Sequence, residues 1–335
     1  MKRARSIRIA ILFGAIGTWF AVAGKLETER IARVLPGTGA AGAPQVDGAA
    51  LLADVRTLAS PQFEGRKTGT PGSLRAQAYL QARFAKLGLR PYGAGYAQPF
   101  AFTRTSVKGL VTPGRPFKTG YQGANYVGYV AGSDPDARVI VISAHYDHLG
   151  IVRGKLYPGA DDNASGVGAM LAMAAWFQAH RPRHTIVFAA FDAEELGLRG
   201  ARAFMAALPF PREKLFMNLN LDMVSHNGRD EIFIAGTSHT PAFKPLVGQV
   251  ALRSSLHVKL GHDRPMLVAG SVEDWTDSSD HGPFHAAGVP FLYFGVEDHP
   301  DYHAPGDTFE HINQTFYLKV ASLLVDMAVT LDQQP

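Results

Sequence analysis

Two short, uninterrupted apolar runs near the middle of the chain constrain its fold more than any other feature. They are VIVIS, at Val139–Ser143, and TIVFAAF, at Thr185–Phe191. Apolar runs of this length are typical of strands that are buried on both faces, as in parallel sheets. Between them lies Gly166–Ala179, a segment rich in small residues that we predict to be a helix. Strands that alternate with helices indicate a parallel sheet covered by helices.

The same alternation continues toward the C-terminus. We predict a helix at Leu198–Ala207 and further strands at Phe216–Leu221, Glu231–Ala235 and Pro290–Phe294. The sequence therefore predicts an α/β fold: one domain with a mostly parallel central sheet flanked by helices, spanning residues 49–335. Residues 24–48 end in a stretch rich in Gly, Ala and Pro and are interpreted as a linker.

Residues 1–23 have the pattern of an export signal. Four basic residues and no acidic residue occur in this segment, and an uncharged run at Ile9–Ala23 ends in the small-x-small sequence Ala21-Val22-Ala23. A cleaved signal peptide is the favoured interpretation, and an uncleaved short membrane anchor at residues 9–23 is the alternative. Both predict a secreted or periplasmic, and in any case extracytoplasmic, location. Membrane contact is expected only if the segment stays uncleaved.

Charge and cysteine content narrow the chemistry of the folded part. The chain carries a net charge of +4, and four of its positive charges lie in the first 23 residues, so the remainder is close to neutral. A neutral domain gives no reason to expect nucleic acid as a partner. The chain has no Cys and 13 His residues, so a metal site has to be built from His, Asp and Glu.

Polar side chains follow the predicted strands where each strand ends. His145 follows the first apolar run, Glu195 the second and Asp222 the third, while His303 follows the last strand after a short loop. Asp162 lies in a Gly-led loop just before the small-residue helix. Because the active sites of such sheets lie outside the C-terminal ends of the strands, we expect these side chains to meet.

These five side chains supply two imidazoles and three carboxylates. That donor set suits Zn²⁺, with Mn²⁺ or Co²⁺ as possible substitutes. A catalytic zinc usually takes three protein ligands, so five ligands are too many for one ion. If one carboxylate bridges, each of two ions has three ligands. Two ions about 3.5–4 Å apart can activate one water molecule and hold a carbonyl oxygen.

Two neighbouring motifs add supporting groups. In an extended segment the adjacent Glu194 and Glu195 would point to opposite sides, so one can bind metal while the other acts as general base. Asp147 lies two residues after His145 and is placed to accept its second ring N–H. Each motif alone has an ordinary alternative, such as a charged helix start for the glutamates. Their joint occurrence at strand ends favours a catalytic metal site.

The motifs also resemble those of a known family. FEGR at 63–66, TGTPG at 68–72, SAHYDHLG at 143–150, PGADDNASGVGAM at 158–170, FAAFDAEELGLRGARAF at 188–204, NLDMV at 220–224 and YHAPGDT at 302–308 resemble the zinc aminopeptidases with co-catalytic metals. These clan MH exopeptidases include secreted bacterial and vacuolar aminopeptidases and are related to glutamate carboxypeptidase and glutaminyl cyclase. The match covers roughly residues 50–335, with the motifs in family order.

The resemblance implies a role for each motif residue. It places His145 and Asp222 on one zinc and Glu195 and His303 on the other, with Asp162 as the bridge. The bridging position follows from the Ser-Gly at the helix start, which selects Asp162 over its neighbour Asp161. The resemblance further implies that Glu194 is the general base, that Asp147 orients His145, and that Tyr302 helps to stabilise the tetrahedral oxyanion.

We therefore predict a zinc-dependent aminopeptidase that hydrolyses N-terminal residues from peptides with a free N-terminus, using two zinc ions per chain and Glu194 as base. Three alternatives remain open at the sequence level. One is a carboxypeptidase or dipeptidase, for which Arg229 and Arg264 are the best candidates to grip a carboxylate. A glutaminyl cyclase would use a single zinc and no hydrolytic water. A non-catalytic binding ectodomain is the third, although intact ligands argue against it.

Overall fold

The computed structural model describes residues 44–106, 117–264 and 273–335. The predicted signal segment and nearly all of the predicted linker lie outside the described residues, so those two boundaries stay predictions.

A large sheet forms the centre of the described structure. The strands in chain order are β1 Arg90–Pro91, β2 Ala97–Ser106, β3 Phe117–Val130, β4 Val139–His145, β5 Gly150–Val152, β6 Lys155–Tyr157, β7 Thr185–Phe191, β8 Leu215–Leu221, β9 Glu231–Ala235, β10 His257–Leu260 and β11 Phe291–Gly295. The order across the sheet is β1-β3-β7-β4-β8-β11-β9-β10, with β2 added on β3. Strands β5 and β6 form a separate two-stranded ribbon.

The sheet is mixed, and its parallel part lies in the middle. Strands β7, β4, β8 and β11 are parallel neighbours, whereas β3 pairs antiparallel with β7 and β9 pairs antiparallel with β11. The prediction of a mostly parallel sheet therefore holds for the four central strands and for the β9–β10 pair, and not for the pairs that β1, β2, β3 and β9 form antiparallel. Residues 97–103 of β2 alternate exposed and half-buried positions, which is the pattern of an antiparallel strand with one solvated face.

Helices cover both faces of the sheet. They are α1 Gly48–Leu58, α2 Pro71–Lys86, α3 Gly166–Ala179, α4 Arg199–Ala206, α5 Lys244–Arg253, α6 His281–Ala286 and α7 Gln314–Asp332. Strand β4 is fully buried, and its successive side chains point to opposite faces. Ile140 and Ile142 join the larger core under α1, α3 and α7, while Val139 and Val141 join a smaller core with Phe204 of α4 and Phe284 of α6.

Helix α7 is a core helix that also has the length and hydropathy of a membrane span. Asn313 caps it by accepting a hydrogen bond from the Phe316 N–H at 3.1 Å. Of its apolar window, 61% is buried against the rest of the protein. Among the described residues it is the single helix that meets these criteria, and its burial explains its apolar composition.

A close backbone approach at Gly166 positions the loop that carries Asp162. A Cβ at residue 166 would lie 2.3 Å from Asn163 Oδ1 and 2.4 Å from the Leu221 carbonyl oxygen, so a larger residue does not fit. Asn163 also donates to Leu221 O at 2.9 Å. The start of α3 is thereby held against the end of β8, which places Asp162 beside Asp222.

Candidate metal centre

One pocket at the C-terminal ends of the parallel strands contains nearly all of the predicted site residues. His145 is the last residue of β4, Asp222 follows β8, and Asp162 precedes α3. The pocket encloses about 480 Å³, and the predicted site residues in its lining are His145, Asp162, Glu194, Glu195, Asp222, Tyr302 and His303. Asp147 is buried, with 1% of its surface exposed, and is not in the lining.

Three side chains form the first ligand group, namely His145, Asp162 and Asp222. His145 Nε2 lies 3.3 Å from Asp162 Oδ1 and 3.3 Å from Asp222 Oδ1. All three residues are buried, with exposures of 1%, 3% and 8%. Ligands bound tetrahedrally to zinc at about 2.0–2.1 Å are about 3.3–3.4 Å apart. The spacing and the donor types of the first ligand group therefore fit one zinc ion.

The second ligand group consists of Asp162, Glu195, His303 and His148. His303 Nε2 lies 3.0 Å from Asp162 Oδ2 and 3.3 Å from Glu195 Oε2. Asp162 thus directs one carboxylate oxygen to each group, as a bridging ligand would. The predicted members Asp162, Glu195 and His303 fit one ion by donor type and distance, and so does the set of Asp162, Glu195 and His148.

His148 is a member of this group that the motifs alone do not assign. Its Nδ1 lies 2.9 Å from Glu195 Oε1 and 3.5 Å from Asp162 Oδ2. Its Nε2 is buried and has no hydrogen-bond partner in the described part of the chain. The available sequence signal was its place directly after the His-x-Asp motif.

Charges within the pocket shift the pKa values of its members. Hydrogen bonds to Asp162 and Glu195 raise the pKa of His303 to about 10. Burial opposes protonation of His145, but Asp222, Asp147 and Asp162 outweigh it and raise its pKa well above the usual range. Burial alone would raise the pKa of Asp162, yet His148, His145 and His303 hold it well below its usual range. The Asp162 carboxylate is therefore anionic at neutral pH.

Glu194 and Glu195 lie in a turn and not in the extended segment that the sequence suggested. The turn begins at Ala193, whose φ is +60°, and Gly197 N–H donates to Glu194 O at 2.7 Å. Glu195 belongs to the second ligand group, whereas Glu194 lines the pocket beside it. Burial, together with the nearby carboxylates of Asp280 and Asp222, raises the pKa of Glu194 well above its usual range, against the charge of His145.

Asp147 connects His145 to the glutamate turn. His145 Nδ1 lies 3.1 Å from the backbone oxygen of Asp147 and 3.7 Å from its carboxylate, so the ring N–H is directed to the carbonyl. The carboxylate accepts hydrogen bonds from Glu194 N–H at 3.0 Å and from Thr68 Oγ1 at 3.3 Å. It therefore acts on the position of Glu194 as well as on the His145 loop.

Arg66 supports the site through the backbone, a role that its position in the FEGR motif does not disclose. Its side chain is fully buried and donates to the carbonyl oxygens of Leu58, Tyr146, Pro158 and Gly159 at 2.6–2.8 Å. The guanidinium thus holds the segment after β4 and the segment before Asp162 in fixed positions relative to each other.

Two further carboxylates, those of Asp307 and Asp280, lie near the ligand groups. Asp307 accepts from the backbone N–H groups of Asp161 and Asp162 at 2.7 and 3.0 Å, which holds the bridging loop. Asp280 is fully buried, and neither carboxylate oxygen has a hydrogen-bond partner among the described residues. Burial, with the charges of Asp147 and Asp222, raises the pKa of Asp280 to about 8.

The fold has two adjacent His/carboxylate groups at the strand ends of its mixed sheet, and their donor types suit a pair of metal ions. The model of the family described as "Peptidase family M28" matches residues 125–328. The chain belongs to this family, and the predicted relationship to zinc aminopeptidases is confirmed at that level.

Curated relatives agree with the family assignment. Aminopeptidase YwaD of Bacillus subtilis is 34% identical over 200 residues, which are 57% of this chain and 40% of the relative. A probable zinc metalloprotease of Pyrenophora tritici-repentis is 28% identical over 216 residues, which are 56% of this chain and 48% of the relative. The chain thus spans less than half of the length of these relatives.

Solved structures agree on the fold. BSAP, a zinc aminopeptidase from Bacillus subtilis, aligns over 85% of this chain and 95% of its own with a TM-score of 0.65 at 16% identity. A Bacteroides thetaiotaomicron glutaminyl cyclase aligns over 88% of this chain and all of its own with a TM-score of 0.66 at 18% identity. At such identities the similarity shows the architecture and not the reaction.

Proposed function

We propose that the protein is an extracytoplasmic aminopeptidase that holds two zinc ions and removes N-terminal residues from peptides. The observation that carries this proposal is the joint lining of one pocket by two ligand groups that share Asp162. Zinc ions bound there would polarise the scissile carbonyl and make a water molecule acidic enough to attack it.

Glu194 is the group proposed to move the proton. It lines the pocket without belonging to either ligand group, so its carboxylate is free to take the proton of the attacking water and to deliver it to the leaving amine. Burial and the surrounding carboxylates make Glu194 a stronger base than an exposed glutamate. Positive ions at the ligand groups would lower its pKa again, so that the carboxylate is available near neutral pH.

Tyr302 is proposed to stabilise the charge that develops on the carbonyl oxygen. It lines the pocket, and its ring stacks on that of His303 with centroids 4.0 Å apart. Burial and then the nearby carboxylates raise the pKa of Tyr302 above its usual range, so the hydroxyl keeps its proton and remains a donor.

The charge of the pocket favours a substrate with a free N-terminal ammonium. Beyond the ligands and Glu194, the lining includes the acidic residues Glu273, Asp277 and Asp298. No Lys or Arg is part of the described lining. A carboxypeptidase would need a cation to hold the terminal carboxylate. The acidic lining therefore supports an aminopeptidase.

The arginines that left the direction of attack open are engaged elsewhere. Arg229 pairs with Glu231, with Nε 2.9 Å from Oε2. Arg264 donates from Nε to Ser238 Oγ at 3.1 Å. Neither residue lines the pocket. This placement supports an aminopeptidase over a carboxypeptidase.

A set of three peptides, one free and two blocked, tests the direction of attack. The zinc-loaded protein is incubated with one peptide that has both ends free, with its N-acetyl form and with its C-terminal amide, and the products are followed by mass spectrometry. We expect stepwise loss of N-terminal residues from the free and amidated peptides and none from the acetylated peptide. Release of C-terminal residues from the acetylated peptide would instead show a carboxypeptidase.

An N-terminal glutamine peptide separates hydrolysis from cyclisation. Cyclisation releases ammonia and leaves the number of residues in the peptide unchanged, whereas hydrolysis releases free glutamine. We expect free glutamine, because two ligand groups are present where a single zinc would suffice for cyclisation.

The extracytoplasmic location is proposed from residues 1–23. N-terminal sequencing of protein recovered from the periplasm or medium is expected to begin near Gly24. Recovery in the membrane fraction alone, with residues 1–23 retained, would favour the anchor.

A further inference from the structure

A cluster of buried polar side chains lies behind the turn that carries Glu194. It consists of Thr68, Tyr146, Asp147 and Asp192, which we call the buried network. Each of these residues is at most 3% exposed. Thr68 is the first residue of the TGTPG motif, and Asp192 directly follows β7. No member of the buried network lines the pocket.

Thr68 lies between two carboxyl groups. Its Oγ1 is 2.8 Å from Asp192 Oδ1 and 3.3 Å from Asp147 Oδ2. A threonine hydroxyl has one hydrogen, so it can donate fully to only one of the two. The other contact would place oxygen lone pairs against each other in a buried site, unless that carboxyl group carries a proton.

Tyr146 repeats this pattern at the other oxygen of Asp192. Its hydroxyl oxygen is 2.8 Å from Asp192 Oδ2 and 2.8 Å from the carbonyl oxygen of Ala124. A carbonyl oxygen only accepts, and the tyrosine hydroxyl also has one hydrogen. Two hydroxyl hydrogens therefore face four acceptor oxygens. A proton on Asp192 would supply a third hydrogen, and Asp192 is the residue that contacts both hydroxyls.

The surroundings of Asp192 favour its protonated form. No Lys, Arg or His is among its hydrogen-bond partners in the described part of the chain, which are the hydroxyls of Thr68 and Tyr146 and the N–H of Ala124. Burial, and then the charge of Asp147, raises the pKa of Asp192 to about 7. The titratable groups that face it among the described residues are Asp147 and Tyr146, after β4, and Tyr126 of β3.

The neighbours of Asp147, in contrast, are hydrogen-bond donors. Its Oδ1 accepts from the Glu194 N–H at 3.0 Å and lies 3.7 Å from His145 Nδ1. Asp147 is therefore the acceptor of the Thr68 hydroxyl hydrogen. The remaining contact of Thr68 is then filled by a hydrogen from Asp192.

We propose that Asp192 is a neutral carboxylic acid whose proton holds Asp147, through Thr68, in the position that fixes the Glu194 N–H. Asp192 donates to Thr68, and Thr68 donates to Asp147. Without this proton, the single hydrogen of Thr68 would go to the shorter contact with Asp192, and Asp147 would lose a donor. Thr68 and Asp192 are thus positioning residues for Glu194. The proton is independent of the reaction, whereas its effect on Glu194 rests on the proposed function.

Infrared difference spectroscopy of the zinc-loaded protein tests for the proton directly. The carbonyl stretch of a protonated carboxyl group is well separated from carboxylate bands and shifts in D₂O. Asp192→Asn is compared with Asp136→Asn, a matched control at an exposed aspartate. At about pH 6, below the pKa of Asp192, we expect Asp192→Asn to lose one protonated carboxyl band and the control to lose none. Loss of a carboxylate band instead would overturn the proposal.

Substitutions at Thr68 test the connection to Glu194 and do not require that Asp192 variants fold. Thr68→Val keeps the shape of the side chain and removes the hydroxyl, so kcat should fall about 10- to 100-fold with KM and zinc content unchanged. Thr68→Ser should restore kcat. Thr103→Val, a matched control at an exposed threonine, should keep the kcat of the wild type. Equal kcat in Thr68→Val and the wild type would refute the connection.

The pH dependence of kcat distinguishes this role from a purely structural one. Asparagine does not ionise, and its amide can donate to Thr68 as protonated Asp192 does. The kcat of the wild type should fall as the pH rises through the pKa of Asp192, whereas that of Asp192→Asn should fall only at higher pH. Superimposable profiles would refute the effect on Glu194. A wild type without peptidase activity would refute the proposed function, and the infrared spectra would still decide whether Asp192 carries the proton.

Discussion

The two ligand groups of the pocket differ in how the fold holds them. In the first group, His145 ends β4 and Asp222 follows β8, so the register of two buried parallel strands fixes both side chains. In the second group, Glu195 lies in a turn and His303 in a loop, and the side chain of His303 is 39% exposed. Strands place the first group, whereas loops place the second. We expect the second group to exchange its ion more readily.

The largest expected effect tests the residue that the two groups share. Asp162 directs one oxygen to each group, so Asp162→Ala should empty both and abolish detectable peptidase activity. Metal content by elemental analysis and turnover of an aminoacyl-arylamide measure the outcome. Asp277→Ala, which changes an exposed pocket acid outside both groups, is the control and should keep its metal. Two ions retained in Asp162→Ala would show that this residue is not the bridge.

The next largest effect concerns Glu194, which serves neither group as a ligand. Glu194→Gln should lower kcat by about 10²–10⁴-fold, the usual contribution of a general base, with metal content unchanged. Glu213→Gln is a control at an exposed position and should leave kcat unchanged. If Glu194→Gln loses metal and keeps its turnover, the roles of Glu194 and Glu195 are reversed.

Histidine substitutions compare the groups directly. His145→Asn and His303→Asn should each lose one ion, but His145→Asn should also lower the unfolding midpoint of the metal-free protein. The reason is that His145 is 1% exposed and its partners Asp162 and Asp222 are buried with it, whereas His303 is partly exposed. Calorimetry of both variants after chelation measures this. Equal midpoints would remove the proposed difference between the groups.

Zinc affinity should rise with pH, because protons compete with the ions for the histidines. Asp162 and Glu195 raise the pKa of His303 to about 10 and therefore favour its protonated form at neutral pH. Each proton displaced should strengthen apparent binding about tenfold per pH unit below that value. Titrations at several pH values, with proton release measured in parallel, test this. Affinity independent of pH between 6 and 9 would contradict it.

The smallest effect concerns the acidic pocket residues that bind no metal. Asp277→Asn should raise KM for a lysyl-arylamide about two- to fivefold more than KM for a leucyl-arylamide, because exposed charge pairs contribute only about 0–1 kcal/mol. A parallel change for both substrates would show that Asp277 does not contact the side chain of the N-terminal residue.

Sequence patterns were most informative where strands place the residues. The apolar runs at Val139–Ser143 and Thr185–Phe191 predicted central strands, and β4 and β7 cover both. Strand ends in a parallel sheet lie at one edge, so His145 and Asp222 were predictable from position alone. The strands beside the central four were less predictable, since the antiparallel pairing of β3 and β9 depends on the path of the connecting chain and not on composition.

Loop-borne residues needed either the family motifs or the tertiary structure. The premise of an extended segment at Glu194-Glu195 was wrong, because Ala193 adopts a left-handed conformation and turns the chain. The single sequence signal for His148 was its place directly after the His-x-Asp motif, which did not indicate that its Nδ1 lies beside Glu195.

The sequence by itself determined the fold class, the M28 family and the types of donor available. A chain without cysteine can bind zinc only through imidazole and carboxylate, and the alternation of strands and helices directs such groups to one sheet edge. Only the tertiary structure decided how distant segments are combined: that Arg66 joins four backbone carbonyls, that Asp307 holds the bridging loop, and that Asp161 orients His299. Most of these contacts join residues that are far apart in the chain, so a local sequence pattern cannot predict them.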